Sequence, residues 1–231
     1  MPSPAEKQDS RLMREMFSAI APRYDRVTRL LSFGMDRRWK ELGFANASLP
    51  ENALVLDLAS GTGDFSSMVR RSVPHGRSVA VDLTEPMLQL ARAQSTPEAV
   101  CADAQRLPFP GATFDCVFAG YALRNFPSLE KSLGEIHRVT KPGGRLVVLD
   151  FFLPPGFMFR RLYLSYLYLN GTFWGLLLHG RPRVYSYIAD SLRSFVSLEE
   201  LLSVLSQMGF TSLDCRPFVQ GGIGLVWATK R

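Results

Sequence analysis

Between residues 53 and 150, short apolar runs alternate with amphipathic stretches. Runs such as VLDLA and LVVLDFF are apolar almost without interruption, which is typical of strands covered on both faces, as in parallel sheets. Parallel strands need crossover connections, and the amphipathic stretches predict the helices that make them. The pattern therefore predicts an α/β fold with five strands in this region, at residues 54–59, 78–82, 99–102, 114–120 and 145–152.

The remainder of the chain carries turn and capping signals. The Lys-Pro-Gly-Gly stretch at 141–144 predicts a turn that stops one helix and precedes a strand. Ser197 and Glu200 have the spacing of a capping box, and Gly209 suits the end of the helix that they begin. Residues 211–217 and 223–229 then predict a closing pair of strands.

Length and composition are those of an ordinary globular protein: 231 residues, 46% hydrophobic and 21% charged. We expect a single domain. The cysteines Cys101, Cys116 and Cys215 are odd in number, far apart and outside any metal-ligand spacing, so we expect small core residues in a reducing compartment, without a metal or a disulfide. The first thirty residues are charged throughout and lack the apolar region of a secretory signal, which favours a cytoplasmic protein.

Two segments carry the excess of positive charge within the net +6. They are residues 6–40 and residues 151–189, and the second contains four arginines and no acidic residue. Both are rich in aromatic residues, so they are compatible with an anionic membrane or nucleic acid as well as with plain solvated charge. In the first segment the basic residues alternate with acids and with apolar residues at helical spacing, so we expect no nucleic-acid partner.

The stretch VLDLASGTGDF, residues 55–65, predicts a strand, a glycine loop and the start of a helix. A dinucleotide site of the type GxGxxG needs a third glycine where Ser66 stands. The acids Asp57 and Asp64 would also lie beside a pyrophosphate, which is unfavourable. S-adenosylmethionine has no phosphate and carries a sulfonium and an ammonium group, so we expect it as the ligand beside Gly61 and Gly63.

Two acids end the next two predicted strands. Asp82 follows the loop by about twenty residues, the distance at which a carboxylate accepts hydrogen bonds from ribose hydroxyls. Asp103 follows the third strand and, with Ala104, can meet an adenine amino group. Because open sheets bind ligands at the carboxyl edge of their strands, these positions together predict a nucleoside-containing ligand.

Several longer stretches resemble one protein family. They are MFSAIAPRYDRVTRLLSFGMDRRWK (16–40), VLDLASGTGDF (55–65), DAQRLPFPGATFDCV (103–117), YALRNFPSLEKSLGEIHRVTKPGGRLVVLDF (121–151) and SYIADSLRSF (186–195). The chain resembles the class I S-adenosylmethionine-dependent methyltransferases, and more closely the C-methyltransferases of menaquinone and ubiquinone biosynthesis. The resemblance implies a Rossmann-like α/β fold with seven strands, the last antiparallel.

The same resemblance implies how the chain is divided. A helical N-terminal extension spans 1–45, the cofactor-binding core 53–152, a helical cap inserted into the fold 153–196, and a C-terminal helix with two strands 197–231. We expect all of these to form one methyltransferase domain, and the resemblance leaves room for a homodimer.

The resemblance also implies roles for individual residues. The loop residues Asp57, Gly61, Thr62 and Gly63 are expected around the methionine part of S-adenosylmethionine, Asp82 at the ribose, and Asp103 with Ala104 at the adenine. Two positions differ from the family: Gly120 stands where many relatives have a serine beside the cofactor, and Thr28 stands where the family has asparagine.

The acceptor implied by the family is a prenylated quinol. A quinol ring carbon attacks a methyl group only after a phenolic proton is removed. The resemblance assigns Arg124, Asn125 and Tyr24 to the acceptor. Arginine stays protonated in proteins, so we expect Arg124 to stabilise the phenolate and Asn125 to orient a water, although a structural ion pair is the alternative. Another small aromatic or lipid acceptor, or a non-catalytic subunit of a quinone-synthesis complex, also remains open.

Residues 162–178 form an uncharged stretch of nearly membrane-spanning length. We expect no span, because Asn170-Gly171-Thr172 has turn chemistry and a span here would separate the last strands from their sheet. The alternatives are core packing or a cap that accepts a prenyl chain. In the second case Arg160, Arg161, Arg181 and Arg183 would contact lipid headgroups, giving peripheral contact with the inner face of a membrane.

Overall fold

The computed structural model describes residues 10–94 and 98–231, and its centre is a seven-stranded sheet in the order β3-β2-β1-β4-β5-β7-β6. The strands β1 to β5 pair in parallel, and β7 runs antiparallel between β5 and β6. This confirms the predicted fold class, including the antiparallel last strand. The strands are β1 Leu54–Leu58, β2 Arg77–Asp82, β3 Glu98–Cys101, β4 Phe114–Gly120, β5 Thr140–Phe151, β6 Phe210–Phe218 and β7 Ile223–Lys230.

Nine helices occur in the described residues, besides three short 3-10 turns at Ala21–Arg23, Leu123–Asn125 and Val219–Gly221. The helices are α1 Ser10–Ile20, α2 Tyr24–Leu31, α3 Asp36–Asn46, α4 Asp64–Ser72, α5 Glu85–Ala93, α6 Leu129–Val139, α7 Phe157–His179, α8 Arg183–Arg193 and α9 Leu198–Gln207.

The central strands are apolar on both sides because both faces of the sheet are covered. Val55 and Phe118 point into a layer formed with α3 and α4, whereas their neighbours Leu56 and Val117 point into a layer formed with α6 and α9. Alternate side chains of a strand face opposite sides, so a doubly covered strand needs apolar residues at consecutive positions. The apolar runs in the sequence reflect this burial.

Side chains at the edge of the sheet are more exposed than those on the central strands. Cys116 on the central strand β4 is buried, but Cys101 on β3 is exposed and Cys215 on β6 is partly exposed. The expectation that all three cysteines are core residues is therefore wrong for Cys101. Because β3 is the edge strand next to β2, its last residue has no covering layer.

The Lys-Pro-Gly-Gly stretch lies inside a strand, so the predicted turn is wrong. Helix α6 ends at Val139 and β5 begins at Thr140 without a connecting turn. The register shifts between the pairs Phe114 with Thr140 and Cys116 with Arg145, which places a bulge at residues 141–144. Gly143 has a positive φ of 76°, and a proline is compatible with a strand only at an edge or a bulge.

The C-terminal signals are confirmed. The Ser197 hydroxyl accepts the Glu200 backbone N–H, and the Glu200 carboxylate accepts the Ser197 N–H, so the capping box forms at the start of α9. Gly209 follows this helix with a φ of 93°. The closing strands β6 and β7 then pair as an antiparallel ribbon.

Helix α7 continues through Asn170-Gly171-Thr172, so the predicted interruption there is wrong. A Cβ on Gly171 would lie 2.7 Å from the carbonyl carbon of Tyr185 in α8, and one on Gly175 would lie 2.6 Å from the Arg181 carbonyl oxygen. Gly171 thus allows α8 to approach α7 closely, and Gly175 allows the connection between them to do so, a use of glycine that does not end a helix. None of the helices within the described ranges combines the length and apolar character needed to cross a membrane.

Candidate active site

The loop between β1 and α4 brings glycine backbone to the carboxyl edge of the sheet. Gly61 and Gly63 have positive φ values of 53° and 85°, which side chains with a Cβ rarely adopt. The Gly61 N–H donates to Asp82 Oδ2 at 3.0 Å, and Asp82 Oδ1 accepts the Thr84 N–H at 2.9 Å. Burial raises the pKa of Asp82, and these hydrogen bonds oppose the shift. The loop and the end of β2 are therefore held together by one buried carboxylate.

A first cavity of about 80 Å³ lies over this edge, between the strand ends and helices α1 and α2. No lysine, arginine or histidine occurs among its described lining residues. Its polar side chains are two carboxylates, a tyrosine pair and an amide, and the rest of its lining is apolar or backbone. The predicted site residues that line it are Tyr24, Gly61, Asp82, Asp103, Ala104, Gly120 and Asn125.

This donor set fits S-adenosylmethionine, the cofactor that the fold implies. With no basic side chain among the described lining residues, this cavity suits ribose hydroxyls and a cationic ligand, whereas its carboxylates would repel a pyrophosphate. Gly120 lines the cavity with no side chain, and a Cβ there would lie 3.1 Å from the Phe65 ring. A serine at this position would press against the Phe65 ring, which would have to move by a few tenths of an ångström.

Four predicted site residues do not line the first cavity: Asp57, Thr62, Gly63 and Arg124. Asp57 Oδ2 accepts the Ser66 N–H at 2.9 Å and the Ser66 hydroxyl at 2.8 Å, so it holds the first turn of α4. Burial raises the pKa of Asp57 to about 7. The structure therefore gives this carboxylate a contact within the protein, at the first turn of α4.

The N-terminal helices are attached to the glycine loop by polar contacts. Thr62 Oγ1 donates to Asp25 Oδ1 at 2.7 Å, and Lys40 Nζ lies 2.5 Å from Asp64 Oδ2 and 3.3 Å from Asp36 Oδ2. Burial alone would lower the pKa of Lys40, but the two carboxylates raise it above its usual value. This lysine is therefore charged and connects α3 to the start of α4.

Arg124 lies behind the first cavity, in a buried ion pair. Its Nη1 is 2.5 Å from Asp150 Oδ1 and 2.9 Å from the Tyr121 carbonyl oxygen, and its guanidinium carbon is 4.9 Å from the Phe151 ring centre. Burial would lower the pKa of Arg124, and Asp150 raises it above its usual value. Arg124 is therefore a permanent buried cation.

A second, narrow cavity of about 20 Å³ reaches this cation. It shares Tyr24 and Tyr121 with the first cavity, so the two cavities adjoin. Burial raises the pKa of Tyr24 to about 12, so its hydroxyl stays protonated near neutral pH. The Tyr121 hydroxyl is buried and has no hydrogen-bond partner in the part of the chain that the structure describes. Thr28, Tyr185 and Tyr187 also line this cavity.

The sequence does not single out several of these residues. Tyr121, Tyr185, Tyr187 and Asp150 come from three separate segments and converge on Arg124. A signal for Asp150 exists, because it is an acid near the end of a predicted strand, like Asp82. The tyrosines carry no such signal, since tyrosine occurs as often in a core as in a site.

The strand order, the glycine loop after β1 and the acid at the end of β2 define a class I S-adenosylmethionine-dependent methyltransferase. Solved structures share this fold. A chain of the Haloferax volcanii complex between the Trm112 methyltransferase activator and a methyltransferase has a TM-score of 0.69 at 18% identity, covering 92% of this chain and 96% of that one. A SAM-dependent methyltransferase from Thermotoga maritima has a TM-score of 0.64 at 20% identity, covering 95% and 100%.

The chain belongs to the ubiE/COQ5 methyltransferase family, whose model matches residues 5–230. It is 41% identical to the demethylmenaquinone methyltransferase of Thermus thermophilus over 85% of this chain and 91% of that protein. It is 34% identical to the ubiquinone/menaquinone biosynthesis C-methyltransferase UbiE of Desulfotalea psychrophila over 94% and 90%. The protein is thus a methyltransferase of a family and fold that use S-adenosylmethionine.

Proposed function

We propose that this protein transfers a methyl group from S-adenosylmethionine to a ring carbon of a prenylated quinol, with demethylmenaquinol as the acceptor and menaquinol as the product. The observation that carries the proposal is the buried Arg124, whose cavity adjoins the first cavity through Tyr24 and Tyr121. Curated relatives named for demethylmenaquinone support the acceptor.

The cofactor site in this proposal is the first cavity. Asp82 holds the ribose hydroxyls, and Asp103 with Ala104 contacts the adenine, because these residues line the cavity at the ends of β2 and β3. Gly61 offers backbone to the methionine part, while Thr62, Gly63 and Asp57 act behind it by holding the loop. When bound, S-adenosylmethionine supplies an electrophilic methyl group.

The acceptor site in this proposal is the second cavity, where Arg124 and Tyr24 act on the quinol oxygen. A cation and a protonated phenol, held in a water-poor site, stabilise negative charge that develops on a phenolic oxygen. The raised pKa of Tyr24 makes it a hydrogen-bond donor and a poor base. In this proposal Asn125, whose amide donates to the Tyr121 carbonyl at 3.2 Å, orients a water that passes the phenolic proton on to bulk solvent. The methylated ring carbon then loses its own proton to solvent, which restores the aromatic ring.

The second cavity at about 20 Å³ has room for about one water molecule, so a quinol ring enters only when the cap shifts. Helix α8 supplies two tyrosines of this cavity and packs on α7. An outward movement of this helix pair is therefore part of the proposal. Movements of this kind gate many active sites.

The experiment incubates the purified protein with labelled S-adenosylmethionine and a panel of prenylated naphthoquinols and benzoquinols, and locates the added carbon by mass spectrometry. We expect carbon methylation of the naphthoquinol and a large loss of rate in Arg124→Met. Transfer to a phenolic oxygen, or only to a different small aromatic or lipid acceptor, would contradict the proposed reaction. Cofactor affinity in calorimetry without any transfer would favour a non-catalytic subunit.

We also propose that helix α7 lies on the surface of an anionic membrane without crossing it. Its exposed apolar side chains have no cover within the described chain, and residues 151–189 contain arginines but no acid. Such a face lies in the headgroup region while arginines contact the phosphates. The exposed apolar residues on this helix are Phe157, Met158, Leu162, Tyr168, Leu169, Phe173, Leu176 and Leu177.

The membrane proposal is tested by sedimentation with anionic and neutral vesicles. We expect the wild type to sediment with anionic vesicles and a variant with Arg160, Arg161, Arg181 and Arg183 replaced by glutamine to remain in solution; the side chain of Arg183 lies outside the described residues. Equal sedimentation of both proteins would remove the basis of the proposal. A dimer in analytical ultracentrifugation that is lost in Leu176→Glu would instead assign this face to a homodimer.

A further inference from the structure

A third cavity, here called the tail cleft, opens beside the acceptor site. It lies between the α2–α3 connection, helix α7 and the turn before β7, and its volume is about 210 Å³. Its lining includes Leu31, Phe33, Phe151, Phe159, Tyr163 and Val219. No charged side chain occurs among its described lining residues. The tail cleft is therefore an apolar groove that opens beside the exposed apolar face of α7.

The tail cleft adjoins the acceptor cavity. Both are lined by Leu31 and Phe151, just as the acceptor cavity and the cofactor cavity are both lined by Tyr24 and Tyr121. The three cavities thus follow one another from Asp82 at the cofactor end to Phe33 at the surface. A molecule with a polar ring and a long apolar chain matches this order of environments.

The polar groups of the tail cleft are already satisfied by the protein. The Tyr163 hydroxyl donates to the Gly222 carbonyl, and the Tyr166 hydroxyl donates to the Leu31 carbonyl at 3.3 Å. The Ser32 hydroxyl donates to the Arg29 carbonyl at 3.1 Å. What these residues present to the cleft is therefore carbon, which disfavours a polar ligand and favours a hydrocarbon.

The mouth of the cleft exposes large apolar side chains. Phe33 is 74% exposed and stacks on Tyr166 with ring centres 5.4 Å apart, Leu162 is 65% exposed and Val219 is 43% exposed. Phe33 and Val219 also have positive φ values of 52° and 49°, which a β-branched valine adopts rarely. Strained backbone of this kind concentrates at binding sites.

We propose that the tail cleft binds the isoprenoid chain of the acceptor, and that the chain runs through it from the acceptor cavity to the exposed face of α7. This inference rests on the proposed function, because it takes a prenylated acceptor as given. Burying the side chains at the mouth under an isoprenoid chain removes apolar surface from water, and this stabilises the complex. The cleft opens next to the surface that we propose as the membrane contact, since Leu162 belongs to both.

The first experiment compares two acceptors in non-ionic detergent micelles, a demethylmenaquinol with a long tail and one with a single isoprene unit. Leu162→Glu places a charge at the mouth of the cleft, and the exposed position makes misfolding a small risk. The matched control is Met35→Glu, because Met35 is 37% exposed in the same α2–α3 connection as Phe33 and belongs neither to the lining of the cleft nor to the exposed face of α7.

We expect Leu162→Glu to lower kcat/KM for the long-tailed acceptor by about tenfold or more, through KM, because a charge at the mouth opposes entry of an apolar chain. Its kcat/KM for the short acceptor and both values of Met35→Glu should stay within about twofold of the wild type. Equal effects of Leu162→Glu on both acceptors, or no effect on either, would overturn the assignment of the cleft.

The second experiment detects binding of an apolar chain in the cleft by fluorescence, without catalysis. Trp39 is buried, lines the cleft and stacks on Phe218 at 5.3 Å between ring centres. A brominated isoprenoid alcohol, titrated below its micelle concentration, should quench the fluorescence of the wild type more than that of Trp39→Phe. The difference reports the cleft, because the remaining tryptophans are common to both proteins. Equal quenching of the two proteins would place the chain elsewhere.

The two experiments separate the inference from the proposed function. If the alcohol quenches Trp39 but no quinol is methylated, the cleft binds an apolar chain and the proposed acceptor is wrong. If both quinols are methylated at equal kcat/KM and Trp39 is not quenched, the acceptor is right and the tail cleft is not its path.

Discussion

Arg124 and Asp150 form an ion pair with an Nη1 to Oδ1 distance of 2.5 Å, and the two residues are only 4% and 0% exposed. Two opposite charges taken out of water stabilise a protein only when their geometry satisfies both. Asp150 also accepts the backbone N–H groups of Arg124 and Phe151. The pair therefore fixes the turn after β4 on β5 and holds the guanidinium beside the second cavity.

Removing one partner of this pair should destabilise the fold strongly. We expect Asp150→Asn and Arg124→Met each to lower the free energy of unfolding by about 3–5 kcal/mol, because each leaves an unpaired buried charge. The double variant Arg124→Met/Asp150→Asn should recover part of this loss. Urea denaturation measures all three, and Arg193→Met, which breaks the exposed pair with Asp190, should change stability by less than about 1 kcal/mol.

The folded double variant also separates structure from catalysis. A stable protein without methyl transfer would assign Arg124 to the reaction, whereas a stable and active one would show that the ion pair is structural.

Asp82→Asn should weaken the binding of S-adenosylhomocysteine by about 10- to 100-fold. Hydrogen bonds to a charged acceptor contribute about 1.5–3 kcal/mol, and the amide replaces the carboxylate that we assign to the ribose. Calorimetry measures the affinity. Glu85→Gln changes an exposed acid near the same strand end and should leave the affinity unchanged. Similar affinities of both variants would show that the ribose lies elsewhere.

Asp57 should make stability depend on pH between about 4 and 7. Burial raises its pKa to about 7, so the folded state binds a proton more tightly than the unfolded state. The stability from this group is therefore complete below the unfolded pKa and is lost as the pH rises through about 7. The full effect is on the order of 4 kcal/mol.

The measurement is the free energy of unfolding as a function of pH for the wild type and Asp57→Asn. Relative to the wild type, the free energy of unfolding of Asp57→Asn should increase progressively from pH 4 to pH 7. Ser66→Ala removes the hydroxyl that stabilises the ionised carboxylate and should shift the same transition to higher pH. Parallel curves for wild type and Asp57→Asn would contradict the raised pKa.

Lys40→Met should loosen the N-terminal helices from the glycine loop. The ammonium group links Asp36 in α3 to Asp64 in α4, and its loss leaves these carboxylates without their common partner. We expect faster amide hydrogen exchange in α2 and a loss of about 1–3 kcal/mol in stability. Arg37→Met breaks an exposed pair on the same helix and should leave the exchange of α2 unchanged. Equal exchange in the two variants would show that the Lys40 ion pairs do not hold these helices.

Two glycine-to-alanine substitutions should have opposite effects. Gly171→Ala places a methyl group 2.7 Å from the Tyr185 carbonyl carbon, so α7 and α8 must separate, with a loss of about 1–3 kcal/mol. Gly134→Ala in α6 meets only the end of Met208 at 4.0 Å, so we expect a gain of about 0.5–1 kcal/mol from helix propensity. Thermal unfolding checks both, and a neutral Gly171→Ala would mean that the two helices are not in close contact.

Much of the carboxyl edge of the sheet could be predicted from the amino-acid sequence alone. The strand ends at Asp82 and Asp103 can be read from sequence because burial on both faces leaves continuous apolar runs, and the polar residue that follows marks the edge of the sheet. The glycine loop is likewise local, since positive φ values at Gly61 and Gly63 depend on a few neighbouring residues.

The orientation of individual side chains could not be predicted from the sequence. Asp57 alternates with Leu56 and Leu58 along β1, so it faces the opposite side of the sheet and meets Ser66 of α4. Asp57 therefore holds the backbone of α4 and does not line the first cavity, because its direction depends on which face of the sheet it occupies and which helix covers that face.

The sequence by itself determined the sheet, the cofactor edge and the capping of α9, because these follow from periodicity and short-range hydrogen bonds. Only the tertiary structure decided that Asp150 pairs with Arg124, that tyrosines of α2 and α8 meet beside them, and that Gly171 continues a helix. Each of these depends on contacts between residues far apart in the chain. The local sequence around a glycine or an acid does not specify whether that residue lies in a turn, at the solvent or against another helix.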